Sequence, residues 1–190
     1  MNQQFEEEVE RTVAFLKAGK TILYPTDTIW GVGCDATNSK ACDRVYAAKK
    51  RPKDKSLIVL VDSMERLNDY VVNVPAIAYD LIKAAKKPLS IVYAEGKNLA
   101  RNVSADKSVC IRVVEHDFCK EVIRRLGKPI TSTSANLSGQ PSALTYNDIT
   151  EEMKQSVDYT VQLYHDVLAR PKSSTIIRLH EDNTFEIIRQ

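Results

Sequence analysis

The 190-residue chain is poor in the residues that mark special chemistries. It has four cysteines, at 34, 42, 110 and 119, and no Cys-x-x-Cys pair. It has three histidines, none at zinc-ligand spacing beside those cysteines, so buried thiols are a better reading than a metal site. Six glycines and seven prolines are too few for a low-complexity or fibrous chain. No apolar run approaches the length of a membrane span. The first ten residues are acidic and polar, unlike a secretory leader. The thiols and the absence of a leader fit a reducing cytoplasm, with no membrane partner. No internal repeat is seen, no Gly-x-x-x-x-Gly-Lys loop and no Gly-x-Ser-x-Gly elbow. One sign of charge does not dominate either: the net is +2. An anion site would therefore need local clustering of cations.

What is present suits one globular domain over 1–190, at 43% hydrophobic. Phe5, Val9, Val13 and Leu16 share a helical face over 3–18, closed by Gly19. Further helices are expected over 39–50 with Ser39 as N-cap, 65–70, 77–86 and 117–126 closed by Gly127. Another is expected from an Asn147 cap to about 155. Strands are expected over 21–24, 89–93, 109–113, 130–133, 159–163, 175–179 and 185–188. The run Leu57-Ile58-Val59-Leu60-Val61 is apolar on both faces, as in a central strand over 56–61. Mixed elements of this kind predict an α/β sheet with helices packed on it, and some antiparallel pairing near the end.

Three segments could carry chemistry. In Tyr24-Pro25-Thr26-Asp27-Thr28-Ile29-Trp30-Gly31-Val32-Gly33 a strand ends in a loop with hydroxyls, a carboxylate and glycines. Alone, it reads as an ordinary turn. Its Gly31-x-Gly33-x-x-Ala36 spacing, with Asp54 further on, is a weak nicotinamide fingerprint, because no helix opens there. The second segment, 49–55, holds five cations in seven residues. Lys49 and Lys50 would suit a helix C-terminus. Lys53 and Lys55 lie past Pro52 and ask for an anion such as a triphosphate. The third, 131–142, is dense in serine, threonine and asparagine donors that suit phosphate and ribose. The pairs His116-Asp117 and His165-Asp166 are common surface features.

Together these segments resemble the YrdC/Sua5 family of threonylcarbamoyl-adenylate synthases, over nearly the whole chain from Gly19 to Arg189. The resemblance rests on several segments in order. They are Pro25-Thr26-Asp27-Thr28 with Gly31 and Gly33, Lys49-x-Arg51-Pro52, and Ser108-Val109-Cys110-Ile111-Arg112. Ser134-Ala135-Asn136-Leu137-Ser138-Gly139 and Ser174-Thr175-Ile176 complete the set. It implies a twisted open mixed sheet with a concave basic face, in the short single-domain form. It also implies the condensation of L-threonine, bicarbonate or CO2, and ATP to L-threonylcarbamoyl-AMP and pyrophosphate, with Mg2+ accompanying the ATP. Downstream threonylcarbamoyl-transferase proteins would then modify tRNA beside the anticodon, giving threonylcarbamoyladenosine.

By the same resemblance Thr28, Arg112 and Ser174 would hold threonine, Arg112 at its carboxylate. Arg51, Lys55, Ser108, Ser134, Asn136, Ser142 and Arg189 would hold ATP. Lys49 and Arg51 would be catalytic, offsetting charge on the departing pyrophosphate, and no resident metal site is expected. Two departures stand out. Many relatives have Trp-Pro-Gly-Pro-Leu-Thr where this chain has Ala85-Lys86-Lys87-Pro88-Leu89-Ser90. Many long-form relatives have Asn at Lys55 and His at Leu60. The alternative is a module that grips tRNA or double-stranded RNA on the basic segment and catalyses nothing; the chain lacks the aromatic clusters of single-strand binders.

Overall fold

The computed structural model describes residues 3–167, 173–180 and 182–190. Its elements are α1 (Gln3–Lys17), β1 (Ile22–Tyr24), β2 (Gly31–Gly33), α2 (Ser39–Ala48) and β3 (Ile58–Val61). Then come α3 (Leu67–Tyr70), α4 (Ala76–Ala84), β4 (Leu89–Tyr93), β5 (Val109–Val113), α5 (Asp117–Leu126) and β6 (Ile130–Ser134). A 3-10 turn (Tyr146–Asp148), α6 (Glu151–Gln155), β7 (Tyr159–Thr160), β8 (Thr175–Leu179) and β9 (Phe185–Arg189) follow.

The described strands form one mixed sheet in the order β7-β1-β2-β6-β3-β5-β4-β8-β9. β3 stands in the middle, as its unbroken apolar run requires. The pairs β1–β7, β3–β5 and β4–β8 are parallel; β8–β9 is antiparallel, as expected near the end. Val9, Val13 and Leu16 of α1 are buried, and Phe5 meets Phe118 of α5 edge-on at 6.0 Å. Gly127 ends α5 at φ 74°, the left-handed cap that glycine takes without steric cost. All four cysteines are buried free thiols.

Some boundaries differ from expectation. Asn38, not Ser39, caps α2: its side-chain oxygen accepts from Ala41 N at 3.1 Å. No helix starts at Asn147. Thr145 and Asp148 form a capping box around the 3-10 turn, Ile149 is extended at φ −72° and ψ 123°, and Thr150 then caps the short α6. Ile149 is buried, and seating it costs the continuous helix. The Gly31–Gly33 stretch, read as loop, is strand β2. A Cβ on Gly33 would stand 1.9 Å from the Thr131 carbonyl oxygen, so glycine is what lets β6 approach this closely.

Candidate active site

Side chains alternate across a strand, so Cys110 and Arg112 of β5 leave the sheet on one side while the buried Ile111 between them turns to the other. Ser132 and Ser134 of β6 share the side of Arg112, and Val92 of β4 joins them. These residues floor a cavity of about 280 Å³. Thr28 and Trp30 enter it from the loop before β2, Arg51 and Ser56 from the segment before β3. Ser142, Ser174 and Arg189 close the remaining walls. The stretches 49–55 and 131–142 thus meet at one place. Among the described residues three arginines line the cavity and no carboxylate does, so it favours an anion.

At the floor, Arg112 Nη2 lies 3.1 Å from Asp27 Oδ1, with side chains only 4% and 8% exposed. Arg112 Nη1 donates to Thr28 Oγ1 at 3.3 Å, and Thr28 Oγ1 lies 2.9 Å from Thr26 Oγ1. Arg112 Nε is buried without a hydrogen-bond partner among the described residues. A buried guanidinium nitrogen is costly to leave unmade, so it suits a carboxylate brought by a substrate. Ser174 Oγ and Ser90 Oγ are 2.8 Å apart and both residues are fully buried. Arg189 reaches back to the Ser174 carbonyl, donating from Nη2 at 2.8 Å.

At the rim, Arg51 donates from Nε to the Lys55 carbonyl at 2.9 Å and from Nη2 to the Ser56 carbonyl at 2.8 Å. Burial pulls the pKa values of Arg51 and Arg189 below the ordinary guanidinium range. Bringing an anion beside them would relieve that cost.

Not every residue named from sequence reaches the cavity. Lys49 is 1% exposed, and its ammonium donates to the carbonyls of Ser134 and Asn136 instead of facing the cavity. Burial first, and then Arg51, push its pKa down to about 8. Asn136 is likewise turned inward, its amide nitrogen donating to the Leu137 and Gln140 carbonyls. Lys55 is exposed and off the cavity wall; only its carbonyl takes part, as an acceptor for Arg51. Ser108 also lies off the wall, and its hydroxyl donates to Asp106. Thr28, Arg51, Arg112, Ser134, Ser142, Ser174 and Arg189 do come together.

The sequence reading passed over Ser132, Ser56, Ser90 and Asp27. Ser132 carried a signal, since it lies two positions from Ser134 and so on the same face. Asp27 lies within Pro25-Thr26-Asp27-Thr28, where nothing local marks it as the partner of Arg112. Ser90 gave no signal, because it depends on the parallel pairing of β4 with β8, where Ser90 stands opposite Ile176. No group of three or more His, Cys, Asp or Glu among the described residues could hold a metal ion. No helix of these residues is long and apolar enough to cross a membrane.

The family model for Sua5, YciO and YrdC, described as "Telomere recombination", matches residues 14–190. A threonylcarbamoyl-AMP synthase of Pseudoalteromonas translucida is 31% identical over 157 residues, covering 80% of this chain and 84% of its own. One of Vibrio campbellii is 31% identical over 185 residues, covering 95% of this chain and 97% of its own. Among solved structures, that of P. abyssi Sua5 complexed with L-threonine superposes with a TM-score of 0.85 at 26% identity. The match covers 95% of this chain and 53% of that one, so this chain spans about half of it.

Proposed function

Since the chain belongs to the Sua5/YciO/YrdC family, we propose that it is a threonylcarbamoyl-AMP synthase, working in the cytoplasm on L-threonine, bicarbonate or CO2, and ATP. The observation that carries this reading is the single cavity that joins the buried Arg112–Thr28 floor to the Arg51 rim. Relatives with the synthase name span nearly their full length on this chain, which supports it.

Threonine enters with its carboxylate at the Arg112 guanidinium, whose Nε is otherwise unmatched, and its hydroxyl among Thr28 and Ser174. Its amine adds to CO2, losing a proton and forming an N–C bond. A carbamate oxygen then attacks the α-phosphorus; the new P–O bond forms as the bond to the β-phosphate oxygen breaks, and pyrophosphate leaves. Such a step asks the protein for positioning and charge stabilisation rather than a nucleophile. Arg51 and Arg189 stabilise the phosphates, and Ser134 and Ser142 offer hydroxyls. Lys49 and Asn136 act one step back, fixing the turn that presents Ser134. Mg2+ enters as part of the nucleotide substrate; among the described residues no carboxylate lines the cavity to bind it. The product serves transferase proteins that modify tRNA.

The test incubates the protein with MgATP, bicarbonate and L-threonine, then seeks L-threonylcarbamoyl-AMP and pyrophosphate by mass spectrometry. Formation should require threonine and fail in Arg51→Ala. ATP turnover that ignores threonine would overturn the reading.

A further inference from the structure

A second cavity, of about 390 Å³, opens at the strand ends on the far side of the Thr26–Trp30 loop. It lies within the size range of small-molecule sites. Its inner wall is apolar and aromatic, with Trp30, Leu89, Val113 and Tyr164. His116 borders it, and His116 Nδ1 is buried with no hydrogen-bond partner among the described residues. The imidazole packs edge-on to Tyr164 at 5.1 Å. Lys86 and Lys87 stand on the wall as well. They belong to the turn that leads from α4 into β4, beside the exposed Ala85.

The charges are unequally matched. Among the described residues two carboxylates line the cavity, and both already have cations: Asp27 has Arg112 at 3.1 Å, and Glu115 has Lys120 at 2.6 Å. Lys86 and Lys87 are exposed and have no ion pair among the described residues. The surplus in the cavity is therefore positive, beside an aromatic wall and a polar atom that lacks a partner. We propose that this cavity is a second binding site, for a small amphipathic organic acid. Its apolar body lies against Trp30, Leu89 and Tyr164, its carboxylate meets Lys86 and Lys87, and a hydroxyl or amide on that body reaches His116. The Asp27 wall separates it from the Arg112 floor, so it is distinct from the nucleotide cavity and does not depend on the reaction assigned there.

The single tryptophan of the chain, Trp30, lines both cavities and reports on this one directly. Phenylacetate is the probe. Its titration should change Trp30 fluorescence saturably, whereas acetate, without a ring, and phenylethanol, without a charge, should bind far more weakly. Saturating ATP should not displace it. Lys86→Glu/Lys87→Glu should weaken binding about tenfold or more. Ala85→Trp, which fills the cavity, should abolish it. The melting temperature checks that Ala85→Trp folds; if it does not, the charge-reversed variant decides alone. A response that does not saturate, that persists unchanged in the charge-reversed variant, or that ATP displaces would overturn the proposal.

Discussion

The floor and the rim of the nucleotide cavity are built differently. At the floor, Thr28, Arg112, Ser174 and Ser90 are buried, and side-chain bonds tie Arg112 to Thr28 and Ser174 to Ser90. At the rim, Arg51 is held among the described residues by backbone carbonyls, Ser142 is exposed, and Lys55 is exposed and off the wall. The floor is fixed during folding, so its donors cost little to orient when a small substrate arrives. The rim keeps its freedom, which suits a long polyphosphate that can be gripped in more than one way. Floor residues should therefore serve stability and specificity together, while rim residues should serve turnover alone.

Arg112→Ala should break that contrast most severely. It strands the Asp27 carboxylate in a buried site, which costs roughly 3–5 kcal/mol of stability. Denaturant unfolding should show the loss, and threonine-dependent pyrophosphate release should vanish with it. Arg51→Ala should cost about 2.7–4 kcal/mol in the barrier, a factor of about 10²–10³ in turnover, with unfolding close to wild type. Equal destabilisation by the two variants would remove the distinction between floor and rim.

The floor was the less legible part in sequence: Thr28, Arg112 and Ser174 were named, but Ser90 and Asp27 were not. The β5 run and the Pro25-Thr26-Asp27-Thr28 segment gave Arg112 and Thr28, but nothing local announced that Asp27 pairs with Arg112. That contact spans 85 positions and depends on the order of strands in the sheet. Strands and helices were legible wherever periodicity was strong: β4, β5, α5 and β8 have the expected bounds. β2 was not, because two glycines flanking Val32 read as a turn until the close approach of β6 explains them. The rim was misjudged in the opposite sense. Cation density in 49–55 implied several phosphate ligands, yet Lys49 folds inward onto two carbonyls and Lys55 stays in solvent. Charge counts show that cations cluster, and only the backbone path shows which of them share a cavity.

Lys49 was placed at the rim by sequence but touches the cavity only from behind, through the Ser134 and Asn136 carbonyls, so it sharpens the comparison next. In the folded chain it releases its proton near pH 8; in the unfolded chain it does so near the ordinary value of about 10.4. Between these, the unfolded chain binds more protons, so the stability due to Lys49 rises with pH from about 8 to about 10. Below pH 8 the cost of burying the ammonium is present in full. Relative to Lys49→Met, wild type should gain on the order of 2–3 kcal/mol across that window. Unfolding curves for both proteins at pH 7, 8, 9 and 10 check this; a constant difference would mean that the two carbonyls hold the proton against burial.

Ser90→Ala tests a floor residue that touches no substrate. It removes one partner of Ser174 and should raise the threonine KM by about 1 kcal/mol, roughly fivefold, while kcat holds. Ser90→Thr, which keeps the hydroxyl, should restore the KM. Loss of kcat without a change in KM would place Ser90 outside the orientation of Ser174.

The smallest effect should come from Lys55→Ala. An exposed cation beside the cavity acts through solvent, where a charge is worth less than about 1 kcal/mol and is screened over about 8 Å at physiological salt. The ATP KM should rise by no more than about fivefold in dilute buffer, with threonine kinetics unchanged. The difference from wild type should shrink as salt increases, because attraction at a distance is all that is lost. A defect as deep as that of Arg51→Ala, persisting at high salt, would have another meaning. It would show that Lys55 swings into direct contact with the phosphates when nucleotide binds, and that the rim, like the floor, has one catalytic arrangement, reached only after the substrate is in place.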